Sequence, residues 1–208
     1  MKILFDGVKH FSRTDFEKNR ELFRSISSSQ KPHTLFIGCS DSRVVPDLIT
    51  KSLPGDLFVI RNVANLVPHY RASSEYLATT SAIEYAVIVL GVENIVVCGH
   101  SNCGGCRALF MNDAELEKIP HTRKWLELAK RARYEAESIA REYGNAADYQ
   151  WLVEQENIVE QMNHLLSYPF IEERFNRGEL NIYGWYYEIG TGTVYNYNRT
   201  EKVFEKIE

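Results

Sequence analysis

Two short stretches of the sequence carry side chains that could bind a metal ion. In the first, Cys39 ends an apolar run and is followed by Asp41 and Arg43. In the second, CGHSNCGGC, His100 and Cys103 lie three residues apart. Two thiolates and one imidazole suit Zn²⁺. Three protein ligands leave one open position on a tetrahedral ion, which is the arrangement of a catalytic zinc site.

Three continuous apolar runs predict the strands that must bring these stretches together. TLFIGCS, DLFVIRN and NIVVCGH cover residues 34–40, 56–62 and 94–100. Such runs are typical of strands buried on both faces, as in a parallel sheet. Open parallel sheets place their sites at the carboxyl ends of their strands, so Cys39 and His100 are expected at one edge.

A helix is predicted between the second and third strands. Residues 73–91 have Ser74 as a plausible N-cap, Glu75 in the first turn and Gly91 as terminator. Together with its flanking strands, this segment forms a βαβ unit.

The remaining chain predicts mostly helices and then a strand pair. Helices are expected from near Gly104 or Gly105, over roughly 122–143 and 147–167 with a break at Gly144 and Asn145, and in PFIEERFNRG. A late strand pair is expected over 181–197, around Gly190–Gly192. The simplest architecture is an α/β core with a largely parallel sheet and helical arms. We expect a single domain over 1–208, with a helical arm (1–30), a zinc-binding core (31–110) and a helical segment with C-terminal strands (111–208).

Composition excludes several classes of partner. The 208 residues are 44% hydrophobic and carry a formal net charge of -4, so they show no basic footprint for nucleic acid or an anionic membrane surface. No transmembrane span or signal peptide is visible in the sequence. Four cysteines are too few for a disulfide scaffold. We therefore expect a cytoplasmic protein that uses its cysteines for metal binding or catalysis.

Other uses of these cysteines stay open. Cys103 and Cys106 have the spacing of a redox dithiol, although His100 and two glycines crowd that motif. A closed structural zinc site of Cys39, His100, Cys103 and Cys106 is also complete on paper. Cys98 is expected to be an inert core thiol. The other histidines considered have no ligand-like spacing and are interpreted as ordinary polar residues: His33, His69, His121 and His164.

The order of four motifs resembles the β-class carbonic anhydrases. These motifs are CSDSRV (39–44), GDLFVIRNVAN (55–65), AIEYAV (82–87) and GHSNCGG (99–105), with a looser echo in YGWYYEIGTG. The resemblance implies a four-stranded parallel sheet with an added antiparallel strand. It also implies helical arms that clasp a partner subunit, in a homodimer or a tetramer built from dimers.

The resemblance also implies the chemistry. Zn²⁺ would be held by Cys39, His100 and Cys103, and zinc-bound hydroxide would convert CO₂ reversibly to bicarbonate and a proton. Asp41 could orient that hydroxide or take the fourth zinc position itself, and a bidentate pair with Arg43 would hold it off the metal. Without the zinc site, this pair would be interpreted as a surface salt bridge.

A substrate pocket is implied at Gln30, Phe58, Val63, Tyr85 and Gly104. Apolar walls with few polar groups suit CO₂. Without the resemblance, plain core packing is the better interpretation of Phe58, Val63 and Tyr85. His69 or Tyr70 could export protons, as could buffer or a water chain.

One possible site departs from the family pattern, and alternative functions stay open. A second, inhibitory bicarbonate site of some family members falls on Phe36, Arg61 and Tyr187, where Phe36 replaces a tryptophan and removes an indole donor. Rival functions are a hydrolase of carbonyl sulfide or carbon disulfide and a non-enzymatic zinc scaffold. The N-terminal arm (9–29) would expose an apolar stripe unless it docks on a partner: Phe11, Phe16, Leu22 and Phe23.

Overall fold

The computed structural model describes residues 1–71, 77–143 and 149–208. Four positions that the sequence singled out as a helix start or a helix break lie outside these ranges: Ser74, Glu75, Gly144 and Asn145.

One mixed sheet organises the described chain. Its strands are Thr34–Cys39 (β1), Leu57–Asn62 (β2), Asn94–His100 (β3), Asn181–Glu188 (β4), Thr193–Asn198 (β5) and Val203–Lys206 (β6). Their order across the sheet is β2-β1-β3-β4-β5-β6. The first four strands in this order run parallel, and β5 and β6 are antiparallel additions. The α/β class, the parallel strands and the late strand pair are confirmed.

The C-terminal addition is larger than predicted. The resemblance implied one extra strand, whereas β5 is followed by β6. The segment of β6 has only two apolar residues, Val203 and Phe204, so its pattern is weak. Phe204 pairs with Tyr197 across the strands, with ring centroids 5.1 Å apart. This aromatic cross-strand contact is a tertiary interaction that a local pattern does not reveal.

The described chain also contains helices before and between the strands. They are Lys2–His10 (α1), Phe16–Lys18 (α2), Arg20–Ser25 (α3), Pro46–Thr50 (α4), Leu77–Glu84 (α5), Gly104–Ala108 (α6), Asp113–Leu116 (α7), Pro120–Leu126 (α8), Lys130–Tyr143 (α9), Tyr149–Leu165 (α10) and Pro169–Asn176 (α11). Short π or 3₁₀ turns cover Phe11–Asp15, Val63–Asn65, Tyr85–Val89 and Glu127–Ala129. None of the helices within these described ranges is long and apolar enough to cross a membrane.

One helix prediction is confirmed at its C-terminal end, one is corrected, and two short helices were not predicted. The helix after β2 does end before Gly91, whose φ of 69° is a left-handed terminator. The helix predicted over 122–143 is instead interrupted by the 3₁₀ turn Glu127–Ala129. The sequence did not predict α4 or α7, because helices of four or five residues are too short to show a period.

The N-terminal arm is helical, and its exposed apolar surface extends beyond the predicted stripe. Phe11, Phe16 and Phe23 pack on one another, with ring centroids 5.2–6.4 Å apart. The larger apolar surface is on α1, none of whose residues is buried by the described chain. Its exposed apolar side chains are Ile3, Leu4, Phe5 and Val8.

Helix α10 approaches the sheet closely over two strand glycines. A Cβ built on Gly99 would lie 2.7 Å from Cγ1 of Ile158, and one on Gly184 would lie 2.8 Å from Cγ2 of the same residue. Real Cβ atoms do not tolerate such distances, so glycine sets the spacing between helix and sheet. The core between them is apolar, with Ile158, Met162 and Leu165 fully buried.

We predict that Gly184→Ala destabilises the fold. The added methyl group meets Met162 and Ile158, and overpacking of this kind costs about 1–3 kcal/mol. Gly190→Ala is the matched control, since a Cβ added there would have no atom within 4 Å, and it should change stability by less than about 0.5 kcal/mol. Urea unfolding followed by circular dichroism measures both. Equal stability of the two variants would show that α10 can retreat from the sheet.

Candidate metal centre

The three side chains that the sequence predicted as zinc ligands are buried and come together in the structure. The ligand atoms of Cys39, His100 and Cys103 all lie within 4.8 Å of one another. The sulfur atoms of Cys39 and Cys103 are 3.9 Å apart. Two sulfurs and one imidazole nitrogen in a buried pocket are a donor set for Zn²⁺.

The sheet and one turn position the three ligands. Cys39 is the last residue of β1 and His100 is the last of β3, and these strands are parallel neighbours. Cys103 immediately precedes α6. The chain turns between His100 and Cys103 through Asn102, which has a φ of 56°. Asparagine is among the few residues that enter this left-handed region readily, because its side chain is short and polar.

The orientation of His100 fits a metal ligand. Its Nδ1 lies 3.0 Å from the carbonyl oxygen of Ser101, so a proton on Nδ1 is donated there. This leaves a lone pair on Nε2. Nε2 is buried and has no hydrogen-bond partner among the described residues. A backbone carbonyl that fixes one ring nitrogen while the other stays available is typical of metal-binding histidines.

The surroundings of the two thiols keep them protonated when no cation is bound. The hydrogen bond with Cys103 and burial raise the pKa of Cys39 to about 12. The neighbouring Cys106 thiol and burial raise the pKa of Cys103 to about 12. At neutral pH, both groups are therefore protonated without a cation, and metal binding at this site must release protons.

A buried glutamate that the sequence analysis missed fixes Cys103. One carboxylate oxygen of Glu154 accepts a hydrogen bond from the backbone N–H of Cys103 at 2.7 Å. The other accepts from the hydroxyl of Tyr186 at 3.0 Å. Burial raises the pKa of Glu154. The position of Glu154 directly after the apolar residues 151–153 was a weak signal, and its partners are visible only in the fold.

Asp41 and Arg43 form a bidentate pair beside the ligands. Arg43 Nε donates to Oδ1 of Asp41 and Nη2 donates to Oδ2, both at 2.8 Å, and the backbone N–H of Arg43 donates to Oδ1 at 3.0 Å. Arg43 also donates to the carbonyl oxygen of Asn102 at 3.1 Å. The guanidinium holds the pKa of Asp41 well below its usual range. Oδ2 of Asp41 lies 3.9 Å from the unpaired Nε2 of His100, so the carboxylate borders the candidate metal position.

The predicted pocket residues fall into two groups within one chain. Val63 and Gly104 lie at the ligand edge, because Val63 follows β2 and Gly104 follows Cys103. Gly105 lets these segments approach, since a Cβ there would lie 2.8 Å from Cβ of Ala64.

Gln30, Phe58 and Tyr85 form the second group. Phe58 pairs with Leu35, four residues before Cys39, which places it about 13 Å along the strands from that ligand at roughly 3.3 Å per residue. The ring of Tyr85 lies 6.0 Å from that of Phe58, and Gln30 is exposed in the segment before β1.

The residues of the possible second anion site have other contacts. Arg61 donates to the carbonyl oxygens of Cys39 at 3.0 Å and Asp41 at 2.6 Å, so it secures the strand end. Phe36 is fully buried, and Tyr187 packs against its cluster. Arg61 and Phe36 therefore already have structural contacts, and Phe36 offers no side-chain donor to a second anion.

The remaining cysteines lie in the core, and two of the remaining histidines lie in a second cluster of possible metal ligands. Cys98 and Cys106 are buried in apolar clusters, and the three-ligand group found among the described residues does not include Cys106. His69 and His164, which were interpreted as ordinary polar residues, lie close together in the structure. The fold brings both to Glu160, with ligand atoms within 4.8 Å of one another.

Comparison with known sequences identifies the family. Residues 34–194 match the model of the carbonic anhydrase family. A carbonic anhydrase of Helicobacter pylori (strain J99) is 42% identical over 206 residues, which cover 98% of this chain and 93% of that protein. A carbonic anhydrase of Pseudomonas aeruginosa is 40% identical over 194 residues, which cover 93% of this chain and 86% of that protein.

Solved structures agree with the sequence relatives. The β-carbonic anhydrase CcaA matches 100% of this chain and 92% of its own with a TM-score of 0.93 and 38% identity. One of two tetrameric β-carbonic anhydrases from Sordaria macrospora matches 94% of this chain and 95% of its own, with a TM-score of 0.80 and 29% identity. With the fold, the order of motifs and the relatives all in agreement, the chain belongs to the β-class carbonic anhydrases.

Proposed function

We propose that this carbonic anhydrase hydrates CO₂ reversibly at a Zn²⁺ ion held by Cys39, His100 and Cys103. The observation that carries the proposal is the buried, unpaired Nε2 of His100 beside two thiols. A bound zinc ion supplies a water molecule of lowered pKa, an effect established for the carbonic anhydrases with three histidine ligands. The free thiols suit the reducing, cytoplasmic location that the sequence predicts.

Asp41 is proposed to act as a hydrogen-bond acceptor next to the metal. Because Arg43 lowers its pKa, the carboxylate stays ionised at neutral pH and well into the acid range. Its side chain is 19% exposed, so it lies where the centre opens to solvent. A fixed acceptor there can orient a polar O–H group toward an entering CO₂ molecule.

Arg43 is proposed to act as the latch on Asp41. Its three hydrogen bonds to Asp41 hold both carboxylate oxygens, and a fourth, donated to the carbonyl oxygen of Asn102, fixes the guanidinium. With Oδ2 only 3.9 Å from Nε2 of His100, a released carboxylate needs little movement to reach the metal position. The pair therefore decides whether that position is open to substrate.

A second copy of the chain is proposed to complete the pocket. If both groups of pocket residues serve one CO₂ site, as the resemblance implies, a single chain cannot form it, because Phe58 lies about 13 Å along the strands from Cys39. Tyr85 is 43% exposed, and the apolar face of α1 is uncovered by the described chain, so both are available to another copy. The tetrameric relatives support such an assembly.

The zinc-loaded protein is expected to accelerate CO₂ hydration in a stopped-flow assay, and Cys103→Ser to lose the zinc ion of this centre together with activity, because one thiolate ligand is removed. Cys98→Ser is the matched control, since Cys98 belongs to a separate buried cluster. Carbonyl sulfide serves as a parallel substrate. A zinc-loaded chain that hydrolyses carbonyl sulfide but leaves CO₂ hydration at the uncatalysed rate would refute the proposal.

Arg43→Ala is expected to lower kcat/KM for CO₂ by about 100-fold while zinc content stays equal to that of wild type, because Asp41 loses its fixed position. Arg123→Ala is the matched control, since that arginine pairs with an exposed aspartate elsewhere. Metal analysis and the hydration assay are run on the same samples. Zinc loss in Arg43→Ala, or full activity, would rule out the latch.

Light scattering is expected to give at least twice the chain mass of 24.0 kDa. Replacing Leu4 and Phe5 by glutamate should shift the protein toward the monomer, because two charges then enter an apolar contact. Lys2→Glu is the control on the same helix and should leave the mass unchanged. A wild-type chain that remains a monomer at micromolar concentration would contradict the proposed shared pocket.

A further inference from the structure

A second cluster of metal-ligating side chains lies outside the thiol centre. His69 follows the 3₁₀ turn after β2, and Glu160 and His164 lie one turn apart on α10. Their ligand atoms are all within 4.8 Å of one another. The rings of His69 and His164 have centroids 3.8 Å apart. Two imidazoles and a carboxylate are a donor set that Zn²⁺ accepts.

Both ring nitrogens of His164 face acceptor oxygens, but the neutral ring has only one N–H to donate. Nδ1 lies 2.6 Å from the carbonyl oxygen of Val67, and Nε2 lies 2.8 Å from Oε1 of Glu160. Both partners are acceptors, whereas a neutral imidazole carries one N–H. If Nδ1 donates to Val67, two lone pairs face each other across the second contact. A positive charge must be shared there, either an added proton or a metal cation.

The protonation of the other two ligands suits a cation. Burial and the neighbouring His164 lower the pKa of His69. Burial alone would raise the pKa of Glu160, but the hydrogen bond with His164 and nearby positive charges outweigh it and lower that pKa. Glu160 is therefore an ionised carboxylate.

Charged groups around the cluster have both signs. Nε of Arg131, on α9, lies 3.6 Å from Oε2 of Glu160, but its side chain is 68% exposed and can move away. Arg71 acts on His69 from the same segment, and Glu135 and Glu156 add negative charge on the side of Glu160. The surroundings therefore do not repel a divalent cation strongly.

We propose that His69, Glu160 and His164 form a second zinc site in this protein, independent of the site at Cys39. The hydrogen bond from Nδ1 of His164 to Val67 is the outer contact that commonly orients a metal-binding imidazole. Zinc–ligand distances of roughly 2.0–2.2 Å require the Glu160 and His164 donor atoms to separate slightly. His69 is exposed and free to close on the ion.

A metal ion here would fasten the segment after β2 to α10. That segment is already held by the hydrogen bond from Val67 N–H to Gln161 at 2.8 Å and by that from the Tyr168 hydroxyl to Pro68 at 2.9 Å. It directly follows the Val63–Asn65 turn, which borders the thiol centre. The second site is therefore placed to hold a wall of the first, without touching its ligands.

Metal stoichiometry of the full-length protein tests this proposal. Co²⁺ is added stepwise to the metal-free chain under reducing conditions. The thiol centre should give intense sulfur-to-cobalt charge-transfer absorption, and the His/Glu site should give only weak d–d bands. We expect two equivalents bound by wild type and one by His69→Ala, with the charge-transfer band unchanged. Metal analysis of zinc-loaded samples after gel filtration should repeat the change from two to one.

Two further variants make the result decisive. Glu160→Gln should also lose the second equivalent, and His121→Ala, which removes a histidine outside the cluster, should keep both. His69 is exposed, so its replacement is not expected to unfold the chain, and retention of the first equivalent verifies this. A wild type that binds one equivalent, or a His69→Ala variant that keeps two, would overturn the proposal and assign the cluster to a shared proton.

Discussion

The parallel pairing of β1 with β3 is the constraint on which the metal centre depends. Gly38 lies opposite Cys98, so Cys39 and His100 emerge from the sheet at the same edge. Because side chains alternate between faces, a slip of one residue would move either ligand to the opposite side. The register is specified by fully buried residues on both strands, including Ile37 and Val97, so the core that stabilises the fold also fixes the donors of the site.

Helix α10 extends this constraint to the loops. It approaches β3 and β4 closely over glycines, and its buried face carries polar side chains at intervals of three or four residues, which form one row: Glu154, Asn157, Gln161 and His164. They bind backbone groups of Cys103, Ala64 and Val67. Each buried backbone group left without such a partner would cost about 1–3 kcal/mol, so the row holds the turn beside the metal centre in one conformation.

The parts of the site that were predictable are those encoded by local pattern. The apolar runs of β1 and β3 and the spacing of His100 and Cys103 locate the thiol centre, because strand ends meet at a sheet edge. The contact of His69 with His164 was not predictable, since it depends on where α10 packs. Phe58 was assigned to the pocket by resemblance, and only the strand register shows its distance from Cys39. The local sequence pattern predicts whether a segment is a strand or a helix, but it does not predict where that element packs in the fold.

The energetics of the Asp41–Arg43 pair indicate a role in orientation more than in stability. The arginine side chain is 45% exposed, and ion pairs of that kind stabilise a fold by about 0–1 kcal/mol. Arg43 nevertheless binds both carboxylate oxygens of Asp41 and the carbonyl oxygen of Asn102, so the orientation of the carboxylate is fixed. Asn102 is also the left-handed residue of the turn that delivers Cys103. The Asp41–Arg43 pair and the candidate ligand Cys103 therefore share one backbone turn, so movement of that turn would disturb the carboxylate and the thiol together.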